Sequence, residues 1–567
     1  VPVRVEVEAD TETPVSAFLK LSRGERHAFL LESVEGGERS ARFSFLGAAP
    51  RSVLSWKLGQ PGDPVERIRE DLASHQAVRV EGTPRFSGGL VGWLSYDAVQ
   101  LFEPRVPVTK PDELSFPDAC FMDYDRVVAF DHRRHSLHVM SEARCGEGDD
   151  PRELYARAVA SIEETLRALA RPLPRRRPRP VGAPAELRPR TDRAAFEAAV
   201  RRAKAYVKAG DCQQIVLSQR FDAEVSVSPF DVYRALRRVN PSPYLFYLQD
   251  GDRALVGSSP ETLIKLEDGE VTLRPIAGTR RRGADAAEDA RLEAELRADP
   301  KENAEHVMLV DLGRNDVGRV AAIGTVRLTA LRTVERYSHV MHLVSEVKGR
   351  LAPGLSAVDV LRAGFPAGTV TGSPKVRAMQ IVDELEPARR GPYAGAVGYF
   401  DRGGDMEMCI AIRTLLQQGR RISVQAGAGL VYDSKPAAEY QETVNKARAC
   451  FAAVAQAQTG DLDARPSTPL RYAQGERSGS GSVRHPSTSL RSTVGERSGS
   501  GSVRHPSTSP RSTVGERSGS GSVRHPSTSP RSTVGERSGS GSVRAERSAK
   551  RGVEARTGAK KSQGGRS

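Results

Sequence analysis

Two pairs of glutamates are spaced to act together. In Asp299-Pro300-Lys301-Glu302-Asn303-Ala304-Glu305, the residues Glu302 and Glu305 are three apart and share one face of a helix. Glu439 and Glu442 repeat that spacing in the last apolar-periodic stretch. Oxygen donors of this kind suit Mg²⁺, which keeps several waters and often takes only one or two protein carboxylates. Each pair also has a plain reading. Asp299 with Glu302 fits a capping box with Pro300 at the first helical position, and Glu442 with Lys446 fits an i,i+4 surface pair. Gly427-Ala428-Gly429 could let backbone N–H groups approach an anion, or could simply form a bulge or turn; Gly278-Thr279 is similar. His342 sits in an alternating apolar run, as a satisfied strand histidine would. Arg413 is an isolated cation in Cys409-Ile410-Ala411-Ile412-Arg413-Thr414. Burying it alone would cost several kcal/mol, so a structural acid or a carboxylate ligand must pair it. Gly368–Lys375 fails the spacing of a phosphate loop, and Ser373-Pro374 reads as a helix start.

These residues need elements to hold them. Residues 1–150 alternate apolar and polar in short stretches, such as Val3-Arg4-Val5-Glu6-Val7, which predicts antiparallel sheet. Leu154, Ala158, Ile162, Leu166 and Leu169 then form a helical stripe. A second block, 191–458, opens with a helix carrying Phe196, Val200, Ala203 and Val207 and ending at Gly210. Strands are expected at Gln214–Arg220, Leu245–Gln249, Ser338–Val347, Gly395–Phe400, Met408–Leu415 and Ile422–Gln425. A final helix places Tyr440, Val444, Ala447, Phe451 and Val454 on one face. The pattern predicts an α+β fold: a large two-layer antiparallel β-sandwich core with helices outside. Four regions are expected: a sheet-rich block 1–170, a Pro/Arg-rich linker 171–190, the block 191–458, and a low-complexity tail 459–567.

The net charge is +14, and the tail carries most of it, with 20 basic and 8 acidic residues against 65 and 63 before it. The folded part thus has no global bias toward nucleic acid or anionic membrane. The tail repeats a 20-residue unit, GERSGSGSVRHPSTSLRSTV, from Gly475. Each unit offers too few aliphatic residues to offset the entropy of ordering, so disorder is expected. A basic tail that binds nucleic acid is the reading from a different function class. No apolar run approaches a membrane span, and no signal peptide opens the chain. The five cysteines form no CxxC pair, which argues for reduced thiols in a cytoplasmic protein.

Read in order, the motifs resemble the chorismate-utilising enzyme family. The matching stretches are GSSPE (Gly257–Glu261), RPIAGTRRRG (Arg274–Gly283), KENAEHVMLVDLGRND (Lys301–Asp316), RYSHVMHLVS (Arg336–Ser345), FPAGTVTGSPK (Phe365–Lys375), GPYAGAVGY (Gly391–Tyr399), IRT (Ile412–Thr414), QAGAGLVYDS (Gln425–Ser434) and EYQET (Glu439–Thr443). They span nearly all of the second block. Members that add water carry a lysine where this chain has Gln214. Aminodeoxychorismate enzymes carry one where it has Ala277, and such an enzyme of atypical sequence, or another chorismate-utilising enzyme, is the alternative. Both absences imply ammonia as the nucleophile and anthranilate as the product, the first committed step of tryptophan biosynthesis.

The resemblance further implies Mg²⁺ held by Glu305 and Glu442, with Glu302 and Glu439 completing the acidic shell. Arg413 and Tyr393 would hold the pyruvyl-side carboxylate with N–H groups around Gly427, Ala428 and Gly429, while Gly278 and Thr279 line the ring. Glu261 would protonate the departing hydroxyl and His342, beside Thr279, would remove the ring proton. Leu30-Leu31-Glu32-Ser33 and Asn240-Pro241-Ser242-Pro243-Tyr244 resemble the family's tryptophan feedback site, implying contacts from Ser33, Pro243, Tyr244 and Leu245. No glutaminase-type cysteine turn is present. A separate glutamine amidotransferase subunit is therefore the implied ammonia source, in a heterotetramer of two large and two small subunits.

Overall fold

The alternating runs near the N-terminus pair antiparallel, Pro2–Glu8 with Ser136–Glu142 and Phe43–Ala48 with Arg126–Asp131. In the computed structural model, residues 1–33, 42–174, 185–337 and 340–460 are described. They fall within one unit, Val1–Gly475. The repetitive tail, beyond residue 460, and the middle of the Pro/Arg-rich linker, 175–184, lie outside the described residues.

Two sheets, of twelve and ten strands, organise this unit together with helices. Both sheets draw on both blocks of the sequence. In the larger, His27–Glu32 pairs antiparallel with Tyr244–Asp250. In the smaller, Gly89–Leu94 pairs with Ala396–Asp401. One apolar cluster takes residues from both sheets, among them Phe29, Phe246 and Leu255 from the larger and Trp93, Met122 and Val397 from the smaller.

The helices follow their local signals. Asp192 caps Arg193–Ala209, whose buried face is Phe196, Val200 and Ala203, and Gly210 closes it at φ 87°. That left-handed closure costs glycine nothing sterically. Asp299 caps Pro300–Gly318 by accepting from the Lys301 and Glu302 N–H groups at 3.0 and 3.2 Å. Pro436–Thr459 buries Tyr440, Val444, Ala447, Phe451 and Val454, the expected stripe. The Ser373-Pro374 start holds to within one residue, the helix being Lys375–Leu385 with Pro374 at its cap. No helix among the described residues is long and apolar enough to cross a membrane.

Two expectations are corrected. Met408–Leu415 is not one strand. The chain pairs as Met406–Ile410 in the smaller sheet, leaves it at Ala411–Arg413, and rejoins the larger sheet as Thr414–Gln418. The apolar run hides this crossing because Arg413 makes the turn with φ 50°, where a glycine or asparagine would ordinarily advertise it. Nor do Gly427-Ala428-Gly429 follow a strand as a bulge or turn. They lie inside Arg421–Leu430, paired in unbroken register with Ile215–Glu224.

Candidate active site

Another of the chain's crossings between the sheets, at Ser259–Thr262, lies beside the one at Ala411–Arg413. Backbone bonds tie the two together: the Ile410 N–H donates to the Glu261 carbonyl at 3.1 Å, and the Ser258 N–H to the Arg413 carbonyl at 3.2 Å. These crossings put Glu261 and Arg413 on the wall of one cavity of about 800 Å³. The helix Pro300–Gly318 presents Glu302 and Glu305 to the same space, and Pro436–Thr459 presents Glu439 and Glu442. Gly278, Thr279, His342, Tyr393, Gly427 and Gly429 also line it. Of the residues proposed for the substrate and metal, Ala428 alone does not; its methyl faces the core instead.

His342 is held by its neighbour strand. Thr279 lies opposite it in register, where the ladder shifts at Gly278. Gly278 has φ 65°, and an added Cβ there would lie 3.0 Å from Leu296. The imidazole Nδ1 is 3.0 Å from the Thr279 hydroxyl and 3.1 Å from the Gly278 carbonyl. A carbonyl only accepts, so Nδ1 carries the proton in that bond and Nε2 is left as a base. Burial lowers the His342 pKa below its usual 6.5, keeping the ring neutral at physiological pH. Burial acts oppositely on Glu261, raising its pKa to about 7 despite the Thr369 hydroxyl and the Arg413 guanidinium. The two shifts leave Glu261 able to give a proton near neutral pH and His342 able to accept one.

Arg413 has no ion-pair partner among the described residues, although a structural acid was one of the two ways to satisfy it. Its guanidinium is half-buried and faces the cavity. Tyr393 is buried, and its hydroxyl sits 2.8 Å from where a Cβ on Gly427 would lie. A Cβ on Gly429 would likewise meet the Gln214 amide at 2.7 Å. A side chain at either glycine would displace the Tyr393 hydroxyl or the Gln214 amide, and at Gly427 it would also crowd the Leu217 carbonyl at 3.0 Å.

The four glutamates share the cavity without closing on one another. Glu302 pairs with Arg280 at 3.1 Å, Glu305 accepts from the Gln214 amide at 3.0 Å, and Glu442 pairs with Lys446 at 2.7 Å. Glu439 keeps a buried oxygen, Oε2, with no hydrogen-bond partner. Burial raises its pKa, and the Glu442 charge adds to that. Among the described residues, no three carboxylate, imidazole or thiol side chains are gathered tightly enough to hold a metal alone. An all-oxygen donor set with one unpartnered carboxylate oxygen fits a hard cation that completes its shell with water and substrate.

Sequence reasoning passed over several lining residues, notably Lys301, Gln425, Tyr337 and Lys446. Lys446 was legible only as a surface partner for Glu442. It does make that pair, but it also donates to the Gly427 carbonyl at 3.1 Å, so it faces the cavity. The remaining four candidates, Ser33, Pro243, Tyr244 and Leu245, gather at a second, smaller pocket of about 70 Å³. Pro243, Pro260, Ile276 and Tyr337 line both spaces and form the wall between them.

The family model for chorismate binding enzymes matches residues 26–452. The chain belongs to the chorismate binding enzyme family. It is 47% identical over 480 residues to an anthranilate synthase component 1 of Pseudomonas aeruginosa, covering 81% of this chain and 96% of that one. Identity to the Thermus thermophilus component 1 is 46% over 472 residues, covering 81% and 99%. Among solved structures, anthranilate synthase component I from Streptococcus pneumoniae superposes with a TM-score of 0.66 at 40% identity, over 74% of this chain and 93% of that one. The menaquinone-specific isochorismate synthase of Escherichia coli shares the fold, with a TM-score of 0.61 at 20% identity, over 80% and 94%. In this family member the cavity and both crossings lie within the matched residues.

Proposed function

We propose that this chain is the large subunit of an anthranilate synthase, converting chorismate and ammonia to anthranilate and pyruvate in the cytoplasm. The observation that carries the reading is the composition of one cavity wall. Arg413, without an ion pair among the described residues, and Tyr393 line the same cavity as an imidazole whose pKa is lowered and a Glu261 that can hold its proton. Gln214 supports ammonia as nucleophile: its side chain bonds Glu305 and offers no base to activate water. Ala277 likewise offers no amine for covalent attack, which disfavours an aminodeoxychorismate synthase.

Arg413 and the Tyr393 hydroxyl bind the pyruvyl-side carboxylate. Glu305 and Glu442, with Glu302 and Glu439 around them, would hold Mg²⁺, which supplies positive charge for the ring carboxylate. As ammonia adds at C2, Glu261 gives its proton to the departing C4 hydroxyl. His342 Nε2 then takes the C2 proton as pyruvate leaves, and the ring becomes aromatic. Two layers of sheet, packed as a sandwich over the shared apolar cluster, hold these groups in register.

The smaller pocket is the proposed tryptophan feedback site, with Ser33, Pro243, Tyr244 and Leu245 in contact. Its common wall with the larger cavity gives an effector there a direct path to the substrate side. Ammonia arrives from a separate glutamine amidotransferase subunit, two copies of each chain making the assembly. The His342→Ala variant tests the chemistry. It is expected to aminate chorismate and accumulate the intermediate that still carries the enolpyruvyl group, visible by chromatography. Anthranilate formed at the wild-type rate would remove His342 from the mechanism.

A further inference from the structure

One buried ion pair ties together several parts of the cavity wall. Arg390 is 1% exposed and Glu386 5%. The guanidinium donates to both Glu386 oxygens, at 2.9 and 2.6 Å, and to two backbone carbonyls, Val370 and Val216, each at 2.7 Å. Val216 and Val370 both line the cavity, and Val370 follows Thr369, the hydroxyl beside Glu261. Glu386 in turn accepts from the Ser218 N–H and hydroxyl at 2.8 Å, and that hydroxyl accepts from the amide of Gln425, another lining residue.

The same guanidinium packs on two rings. Its carbon lies 4.5 Å from the Tyr96 ring centre and 5.7 Å from that of Tyr393. Tyr96 and Asp97 come from the N-terminal block and grip Gly391, in the loop of residues 386–395 that carries Arg390 and Tyr393. Asp97 accepts the Gly391 N–H at 2.8 Å, and the Tyr96 N–H donates to the Gly391 carbonyl at 2.9 Å. The loop needs such a grip, because Ala394, next to Tyr393, is a non-glycine residue at φ 65°.

A buried ion pair is weak grounds for stability, since desolvation offsets much of its attraction. Its worth here lies in direction. All four hydrogen bonds from Arg390 end on Glu386 or on carbonyls of the cavity wall. We propose that Arg390, fixed by Glu386, is a positioning residue that aims the Tyr393 hydroxyl at the substrate carboxylate and pins the Val216 and Val370 stretches of the cavity wall beside it. The proposal rests on the chorismate reading above.

The test uses full-length enzyme with ammonium, Mg²⁺ and chorismate, following anthranilate fluorescence. Arg390→Lys keeps the charge but loses the planar fork that serves both carbonyls. It is expected to raise KM for chorismate on the order of tenfold, to leave KM for ammonium within about twofold, and to shift kcat less than KM. In that background, Tyr393→Phe is expected to add less than about twofold, because the hydroxyl is already misaimed. Glu386→Gln is expected to show the same KM pattern at smaller size, and it carries the test if Arg390→Lys does not fold. KM is independent of the folded fraction, so a purely structural role predicts a lower melting temperature with KM unchanged. That outcome, or full multiplicativity of the Arg390 and Tyr393 effects, overturns the proposal. Wild-type enzyme that makes no anthranilate would fail the functional reading instead.

Discussion

The two pockets share a wall and differ in how their polar groups are satisfied. In the larger cavity, Arg413 has no ion pair among the described residues, and Gln214 Oε1 and Glu439 Oε2 are buried without partners. In the smaller, Arg85 and Arg274 each leave a buried Nε without a hydrogen-bond partner, but both guanidiniums are ion-paired and both carboxylates are already served. Glu32 accepts from Tyr233 and Arg237, and Glu407 from Arg85, Tyr244 and Tyr399. Unpaired buried polar groups cost stability, and those that face a cavity can be completed by a ligand. A pocket with paired groups and an apolar lining instead offers shape and area. The larger space is built to orient charge, and the smaller to accept an apolar body.

The difference can be broken at its largest point with Glu261→Gln. Losing the proton donor should cost about 10²–10⁴-fold in kcat, measured at fixed free ammonia. The same variant sharpens the stability side. Glu261 has a folded pKa of about 7 against an ordinary 4.5, so between these values the folded state holds a proton that the unfolded chain has lost. Stability therefore falls as pH rises through that window, and the cost is complete above it. Glutamine carries no such cost. The variant should be more stable than wild type by about 3 kcal/mol at pH 8, with the gap closing near pH 4 in denaturant melts.

Arg413→Met comes next. If its charge awaits a carboxylate, KM for chorismate should rise roughly 10–100-fold, the value of a charge-assisted hydrogen bond, with folding little changed. A stability loss without a KM change would mean a hidden structural partner. On the smaller pocket, Ser33→Leu should raise the tryptophan concentration for half-inhibition roughly tenfold by filling space. Unchanged inhibition would move the effector elsewhere.

The two regions also differed in how much of them the sequence disclosed. Helix caps and stripes are local, so Asp192, Asp299 and the Tyr440–Val454 face were readable, as was the shared face of each glutamate pair. The crossing at Arg413 was not, because an apolar run without glycine or proline reads as one continuous strand. Gly427 and Gly429 looked like a turn because nothing local shows that Tyr393 and Gln214 press against them. Pairing between strands some two hundred residues apart, as His27–Glu32 with Tyr244–Asp250, leaves no periodic mark. That pairing builds the second pocket, so a family motif pointed to it where pattern alone could not.

The central claim is that one cavity directs ammonia, not water, onto chorismate. Wild-type chain given chorismate, Mg²⁺ and ¹⁵N-ammonium at alkaline pH should release pyruvate and anthranilate carrying the ¹⁵N label, by mass spectrometry. A hydroxylated isomer, a 4-amino product or no turnover would contradict it.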